Sequence, residues 1–247
     1  SDGRCPETAE YAVYATDIDV DGDLDILSVP WQWSWNSDGV ITWYENTNNR
    51  GTFSAGQIIT NRPGIQACHL ADVDGDGDQD FFLSYDQWYL VWMENPGTGN
   101  FQSQHEVGLI NDGPTVVERN LQLEVGDFDK DGRPDVFAIG KAYRSQLVWF
   151  QPNTNIKNEF RKTTIGRVDL PDGPKTVDLD NDGQLELIVG TRDDDRIFHY
   201  QRDASGSFTR SILTEDYIGP VIDSADLDSD GDVDLVGADF IFWNSGG

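Results

Sequence analysis

Five nine-residue stretches gather about half of the acidic side chains of this 247-residue chain: DIDVDGDLD from Asp17, DVDGDGDQD from Asp72, DFDKDGRPD from Asp127, DLDNDGQLE from Asp178 and DLDSDGDVD from Asp226. In every copy positions 1, 3 and 5 are Asp, position 6 is Gly and position 9 is Asp or Glu. Carboxylates crowded in this way repel one another, and alone they favour an open, solvated loop. Alternate carboxylates around a tight turn, with a backbone carbonyl at position 7, supply the roughly six to eight oxygens that a hard cation such as calcium takes. The candidate ligands are Asp17, Asp19, Asp21, Asp23 and Asp25; Asp72, Asp74, Asp76, Asp78 and Asp80; Asp127, Asp129, Asp131, Arg133 and Asp135; Asp178, Asp180, Asp182, Gln184 and Glu186; and Asp226, Asp228, Asp230, Asp232 and Asp234. Arg133 and Gln184 enter only through their carbonyls. The position-6 glycines suit a turn that a side chain would obstruct.

These loops are not EF-hands, which close on Glu at position 12 and run on into a helix. Position 12 here is Ser28, Leu83, Ala138, Val189 or Gly237, and short strand-like runs follow: DILSV, DFFLS, DVFAI, ELIVG and DLVGA. The first aspartates step by 55, 55, 51 and 48 residues, so the chain is five copies of one module. An apolar run precedes each loop, and in four modules two further strands follow, as in VITWYEN then TFSAGQIIT. Four short antiparallel strands per unit of about 50 residues is the pattern of a propeller blade. The expected fold is all-β: a β-propeller of five four-stranded modules, either five-bladed or part of a larger ring. Its single domain spans residues 1–247, with modules at approximately 6–60, 61–115, 116–166, 167–214 and 215–247, the fifth lacking its outer strand.

The DxDxDGxx[DE] loops and the WYEN-like third strands resemble the FG-GAP and VCBS repeats of calcium-binding propellers, found in integrin α-chain heads, a fungal lectin and many secreted microbial proteins. The resemblance covers nearly the whole chain and implies calcium in each first-to-second-strand loop, up to five ions, and an extracellular adhesion, lectin or scaffold role. Relatives of this kind commonly have seven blades, where this chain has five repeats.

Trp43, Trp92, Trp149 and Trp243 are read as one repeated third-strand position with His199 as the packed surrogate in module four, a pattern that marks packing more than recognition. Trp31, Trp33, Trp35 and Trp88 break the repeat, with Tyr85 and Tyr143 in equivalent connections opposite the acidic loops. Rings on loops over a rigid scaffold can stack on sugars or anchor a protein partner, and packing against a neighbouring blade is the alternative. Cys5 and Cys68, the two cysteines, form a disulfide in an oxidising compartment or remain free.

The net charge of −28 excludes nucleic acid as a natural partner, and no apolar run approaches a membrane span. Five calcium ions would bring the balance to −18. Carboxylates gathered on a cation are held ionised, which suits ligation and spoils them as general acids. His69, His105 and His199 follow no metal or nucleophile spacing. The expected function is a secreted, non-catalytic, calcium-stabilised module that binds glycan or an extracellular protein surface. A structural subunit of a filament or matrix, self-assembling through the incomplete fifth blade, is the alternative. A propeller scaffold of a polysaccharide-degrading enzyme is a third.

Overall fold

The structure, a computed structural model, describes residues 11–30, 39–85, 89–110, 121–140, 144–154, 160–216, 219, 221–237 and 240–245. Module one is β1 (Tyr11–Thr16), β2 (Asp25–Pro30), β3 (Ile41–Tyr44) and β4 (Gln57–Thr60); module two is β5 (Ala67–Ala71), β6 (Asp80–Tyr85), β7 (Tyr89–Glu94) and β8 (Ser103–Leu109). Module three is β9 (Gln122–Gly126), β10 (Asp135–Ile139), β11 (Ser145–Pro152) and β12 (Phe160–Val168); module four is β13 (Pro171–Val177), β14 (Glu186–Thr191), β15 (Arg196–Arg202) and β16 (Phe208–Thr214). Module five is β17 (Val221–Ala225), β18 (Asp234–Gly237) and β19 (Ile241–Phe242). Among the described residues each module is one antiparallel sheet with its strands in chain order, four-stranded in modules one to four and three-stranded in module five. Such sheets, repeated along the chain, are the blades of a β-propeller-like fold. Among the described residues no helix is long and apolar enough to cross a membrane.

Blade stacking explains the residue pattern. A middle strand is covered by a neighbouring blade on each face, so it reads as a continuous apolar run instead of an alternating one. Every residue of β10 and β14 is buried, whereas the outermost β12 and β16 are largely half-buried or exposed. Four apolar clusters each join two successive modules: Leu27 and Trp43 meet Phe81 and Leu83, Phe82 and Trp92 meet Val136 and Ala138, Phe137 and Trp149 meet Leu187 and Val189, and Ile188 meets Leu235. Each such large side chain stabilises the fold by about 1.5–3 kcal/mol through burial. Gly99, at φ +69°, shows how tight this packing is. A Cβ there would lie 2.2 Å from the Trp43 ring of the preceding module.

Cross-strand register revises one sequence expectation. Trp43, Trp92, Trp149 and His199 pair with Leu27, Phe82, Phe137 and Ile188, but the equivalent pair in module five is Val236 with Ile241. Trp243 therefore lies two residues beyond the repeated position and is 53% exposed. The paired positions are five residues apart in module five (236 and 241) and at least ten apart in the others (82 and 92 in module two), so spacing alone cannot show which residue of FIFW enters the register. His199 takes the register position of Trp43, Trp92 and Trp149 but is only half-buried, and burial pulls its imidazole below the usual histidine range.

Cys68 is buried and disulfide-bonded, with the Tyr14 hydroxyl 3.8 Å from its sulfur. The expected partner, Cys5, lies outside the described residues.

Candidate metal centres

Each acidic loop joins the first strand of its blade to the second, and its shape follows from carboxylates accepting backbone N–H groups. The position-1 carboxylate closes the turn: Asp17 accepts Asp21 N–H at 3.1 Å and Gly22 N–H at 3.0 Å, and Asp127 accepts Asp131 and Gly132, both at 2.9 Å. In all five loops the position-5 carboxylate accepts the N–H of position 7, at 2.7 Å for Gln184 on Asp182 and 3.3 Å for Asp78 on Asp76. The ninth-position acid turns inward and takes the N–H of position 2, from 2.7 Å for Leu179 on Glu186 to 3.2 Å for Phe128 on Asp135.

This geometry converges carboxylate oxygens to within 4.8 Å of one another in every loop. The groups are Asp17, Asp19 and Asp25; Asp72, Asp74 and Asp80; Asp127, Asp129 and Asp135; Asp178, Asp180, Asp182 and Glu186; and Asp226, Asp228 and Asp230. Asp21, Asp76 and Asp131 stand outside these groups, each turned to a position-7 N–H, and position 5 joins only in loops four and five. The position-7 side chains of Asp23, Asp78, Arg133, Gln184 and Asp232 also stand outside, and so does Asp234 of the fifth loop. Arg133 instead folds back on the Asp131 carboxylate, its Nε donating at 3.1 Å. Buried Asp19 Oδ1 and Asp178 Oδ1 have no hydrogen-bond partner. All-oxygen donor sets with unpartnered buried oxygens fit a hard divalent cation.

Burial, more than mutual repulsion, drives the electrostatics. It pushes Asp80 up to about 7 and Glu186 up to about 7, although each accepts backbone N–H bonds that pull the other way. Asp78 rises to about 6 through burial and then the charges of Asp76 and Asp74. Asp135 reaches about 8, again mainly through burial. Asn95 N–H donates to Asp80 at 2.7 Å, whereas Pro152, which has no N–H, occupies the matching place in module three. Carboxyls held this far from their ionised state call for positive charge, and a bound cation would reverse every one of these shifts.

Two participants were not legible in the loop pattern. The asparagine just past the third strand ties neighbouring loops together: Asn95 Nδ2 donates to the Ile18 carbonyl at 2.7 Å, and Asn244 Nδ2 to the Leu179 carbonyl at 2.7 Å, each in the preceding module. One residue earlier, Gln151 and Gln201 donate to the position-3 carboxylates of Asp129 at 2.8 Å and Asp180 at 2.9 Å. The recurring [EQ]N in WYEN and WMEN was the available signal.

Position 4, freely variable in the sequence, is constrained in the backbone. Val20, Gly75, Lys130, Asn181 and Ser229 all have positive φ, between 56° and 79°. A β-branched residue is poorly suited to that region, and Val20 is 56% exposed, so it gains little by burial. Val20→Asn, the residue type found at this place in module four, is expected to stabilise the chain by about 1 kcal/mol. Urea unfolding in saturating calcium checks this; a loss of stability would show that the Val20 contacts outweigh its backbone strain.

Of the six aromatic candidates opposite the loops, Tyr85 is described and Trp31, Trp33, Trp35, Trp88 and Tyr143 lie outside the described residues. Tyr85 stacks on Tyr89 with centroids 5.9 Å apart, and the Arg62 guanidinium sits 4.7 Å over its ring. Tyr89 is 41% exposed.

Repeated four-stranded blades, each opened by an oxygen-lined acidic loop, define a β-propeller-like adhesion or binding module. The chain matches the FG-GAP-like repeat over residues 17–83, 72–138, 127–189 and 178–237, each match running from one acidic loop into the strand after the next, and it belongs to that family. Comparison with curated proteins returns no match.

Proposed function

We propose that the chain is a secreted, non-catalytic binding module, stabilised by up to five calcium ions, that engages carbohydrate on extracellular surfaces through the blade ends opposite the acidic loops. The observation that carries this reading is the division of labour along each blade. One end is committed to acidic clusters whose carboxylates are already engaged by backbone N–H groups. The other end presents aromatic rings on a rigid scaffold, represented by the Tyr85–Tyr89 stack with its exposed Tyr89 face. The test is a glycan array in millimolar calcium with a chelator-treated control and the Trp33→Ala, Trp35→Ala and Tyr89→Ala variants. Selective binding, lost in a variant that melts like the parent, supports the reading; a blank array from folded protein overturns it.

The alternative is a structural subunit of an extracellular filament or matrix joined through the incomplete fifth blade. Among the described residues the fifth sheet has three strands with β19 at its edge, and an edge strand offers ladder groups to another strand.

A further inference from the structure

A cleft of about 350 Å³ lies where the end of β12 meets the outer half of blade four, and its walls include Arg167, Asp169, Arg196, Phe198, Arg210 and Ser211. It sits toward the blade ends opposite the acidic loops, since β12 reaches it with its last residues and the β14–β15 connection forms one rim. The chain has 17 basic side chains against 45 acidic ones, so three arginines in one cleft form a local exception to its charge.

Strand alternation brings these groups together. Arg210 and Ile212 pair across the ladder with Tyr200 and Phe198, so they share the face on which Phe198 and Tyr200 pack against module three. Arg196, two residues before Phe198 on β15, lies on the same face. The Arg210 guanidinium sits 4.5 Å over the Phe198 ring, and such stacking fixes its plane while leaving its N–H edge to a ligand.

The carboxylates nearby are already engaged. Asp194 accepts from the Thr191 hydroxyl and from Arg196 Nη1, the latter at 3.1 Å, Glu215 accepts Arg196 Nη2 at 3.1 Å, and Asp169 accepts the Arg144 N–H. Arg167 donates to the Arg144 carbonyl at 2.8 Å. Among the described residues no carboxylate pairs with Arg167 or Arg210, and buried Arg196 Nε has no hydrogen-bond partner. The backbone around the cleft is strained as well. Apart from Asn49 and position 4 of the acidic loops, the described non-glycine residues with positive φ are Arg144, Leu170 and Asp195, at 58°, 42° and 52°. All three adjoin the cleft, and strain of this kind collects at ligand sites.

We propose that this cleft binds a sugar bearing a single carboxylate, a uronate or its like, with Arg167 and Arg210 taking the carboxylate. The inference rests on the carbohydrate reading and names the class of sugar. Guanidinium N–H groups match a planar carboxylate in pairs. Exposed Asp193 and Ser211 at the rim supply partners for ring hydroxyls, which a bare anion or an acidic peptide segment lacks. Ile212, 47% exposed, gives the ring's C–H face an apolar surface. The volume stands at the small end of the roughly 300–1,000 Å³ of ligand pockets, which suits one ring more than an extended chain. A net charge of −28 repels polyanions at long range, so the occupant carries one negative charge.

Titration calorimetry of the whole chain in millimolar calcium tests this, with methyl glucuronide, methyl glucoside and acetate as probes and with Arg167→Gln and Arg210→Gln beside the parent. Both arginines are exposed, and it is Arg210 that stacks on Phe198, so Arg167→Gln is expected to melt like the parent. The glucuronide is expected to bind at least about tenfold more tightly than the glucoside or acetate, and each substitution to weaken it at least about tenfold while leaving the glucoside unchanged. Equal affinity for glucuronide and glucoside, or undiminished glucuronide binding by Arg167→Gln, overturns the proposal and leaves the carbohydrate reading standing. Acetate bound as tightly as the glucuronide overturns the sugar as occupant. Absence of glucuronide binding by protein whose glycan-array signal is lost in Tyr89→Ala overturns this site alone, whereas its absence together with a blank array overturns both.

Discussion

Excess chelator is expected to lower the melting temperature of the chain by roughly 15–25 °C near pH 7.5. A site held at tenfold above its dissociation constant stabilises by about 1.4 kcal/mol, so five loops together contribute about 7 kcal/mol, and for a chain of this size each kcal/mol moves the midpoint by roughly 2–4 °C. Calorimetry with and without chelator measures this, and an unchanged melt would remove calcium as a structural element. The pH dependence has a definite sign. In the chelated chain Asp80 and Glu186 sit at about 7 and Asp135 at about 8, above the unfolded carboxyl range near 4, so the folded state holds more protons between these limits. Its stability therefore falls as pH rises from about 5 through 8. With calcium bound the same carboxylates are held ionised and protons compete with the cation, so acidification weakens the loaded form. Chelated and loaded melting temperatures are expected to converge as pH falls.

The second large effect separates carboxylates that build the loop from those that only meet the cation. Asp25 is 1% exposed and accepts the N–H groups of Ile18 at 3.1 Å and Asn46 at 2.7 Å. Asp25→Ala strands both donors, and we expect a loss of about 3 kcal/mol in chelator and a larger loss in calcium, where the cluster also loses a ligand. Asp19 lies in the same cluster with Oδ1 unpartnered, and its carboxyl is pushed up by burial and then by Asp21, Asp25 and Glu45. Asp19→Ala is expected to cost about 1.4 kcal/mol in calcium, the worth of one site. In chelator it should cost nothing or stabilise slightly, because it removes a repelling charge. Urea unfolding of both variants in both buffers decides between these roles. Equal losses for Asp19→Ala in calcium and chelator would mean that its carboxylate is part of the loop's own framework.

The acidic repeat alone determined the all-β blade architecture, the five loops and the short fifth module, because ligand spacing and strand periodicity are local properties of nine to ten residues that recur without change of meaning. Register, partners and coverage were decided in three dimensions. Trp243 shares its residue type with Trp43, yet pairing places Ile241 in the repeated slot, because connection length and not residue identity sets which side chain enters a ladder. Position 4 tolerates Val, Gly, Lys, Asn and Ser as sequence but adopts one left-handed backbone state, imposed by the carboxylates that close the turn around it. Asn95 reads as the end of a strand, and only stacking of the blades brings its amide to the Ile18 carbonyl 77 residues earlier. Leu227 and Ile18 hold the same place in their loops, and the tertiary structure alone leaves one 44% exposed and the other fully covered, since burial depends on what packs against the loop and not on the loop's own residues.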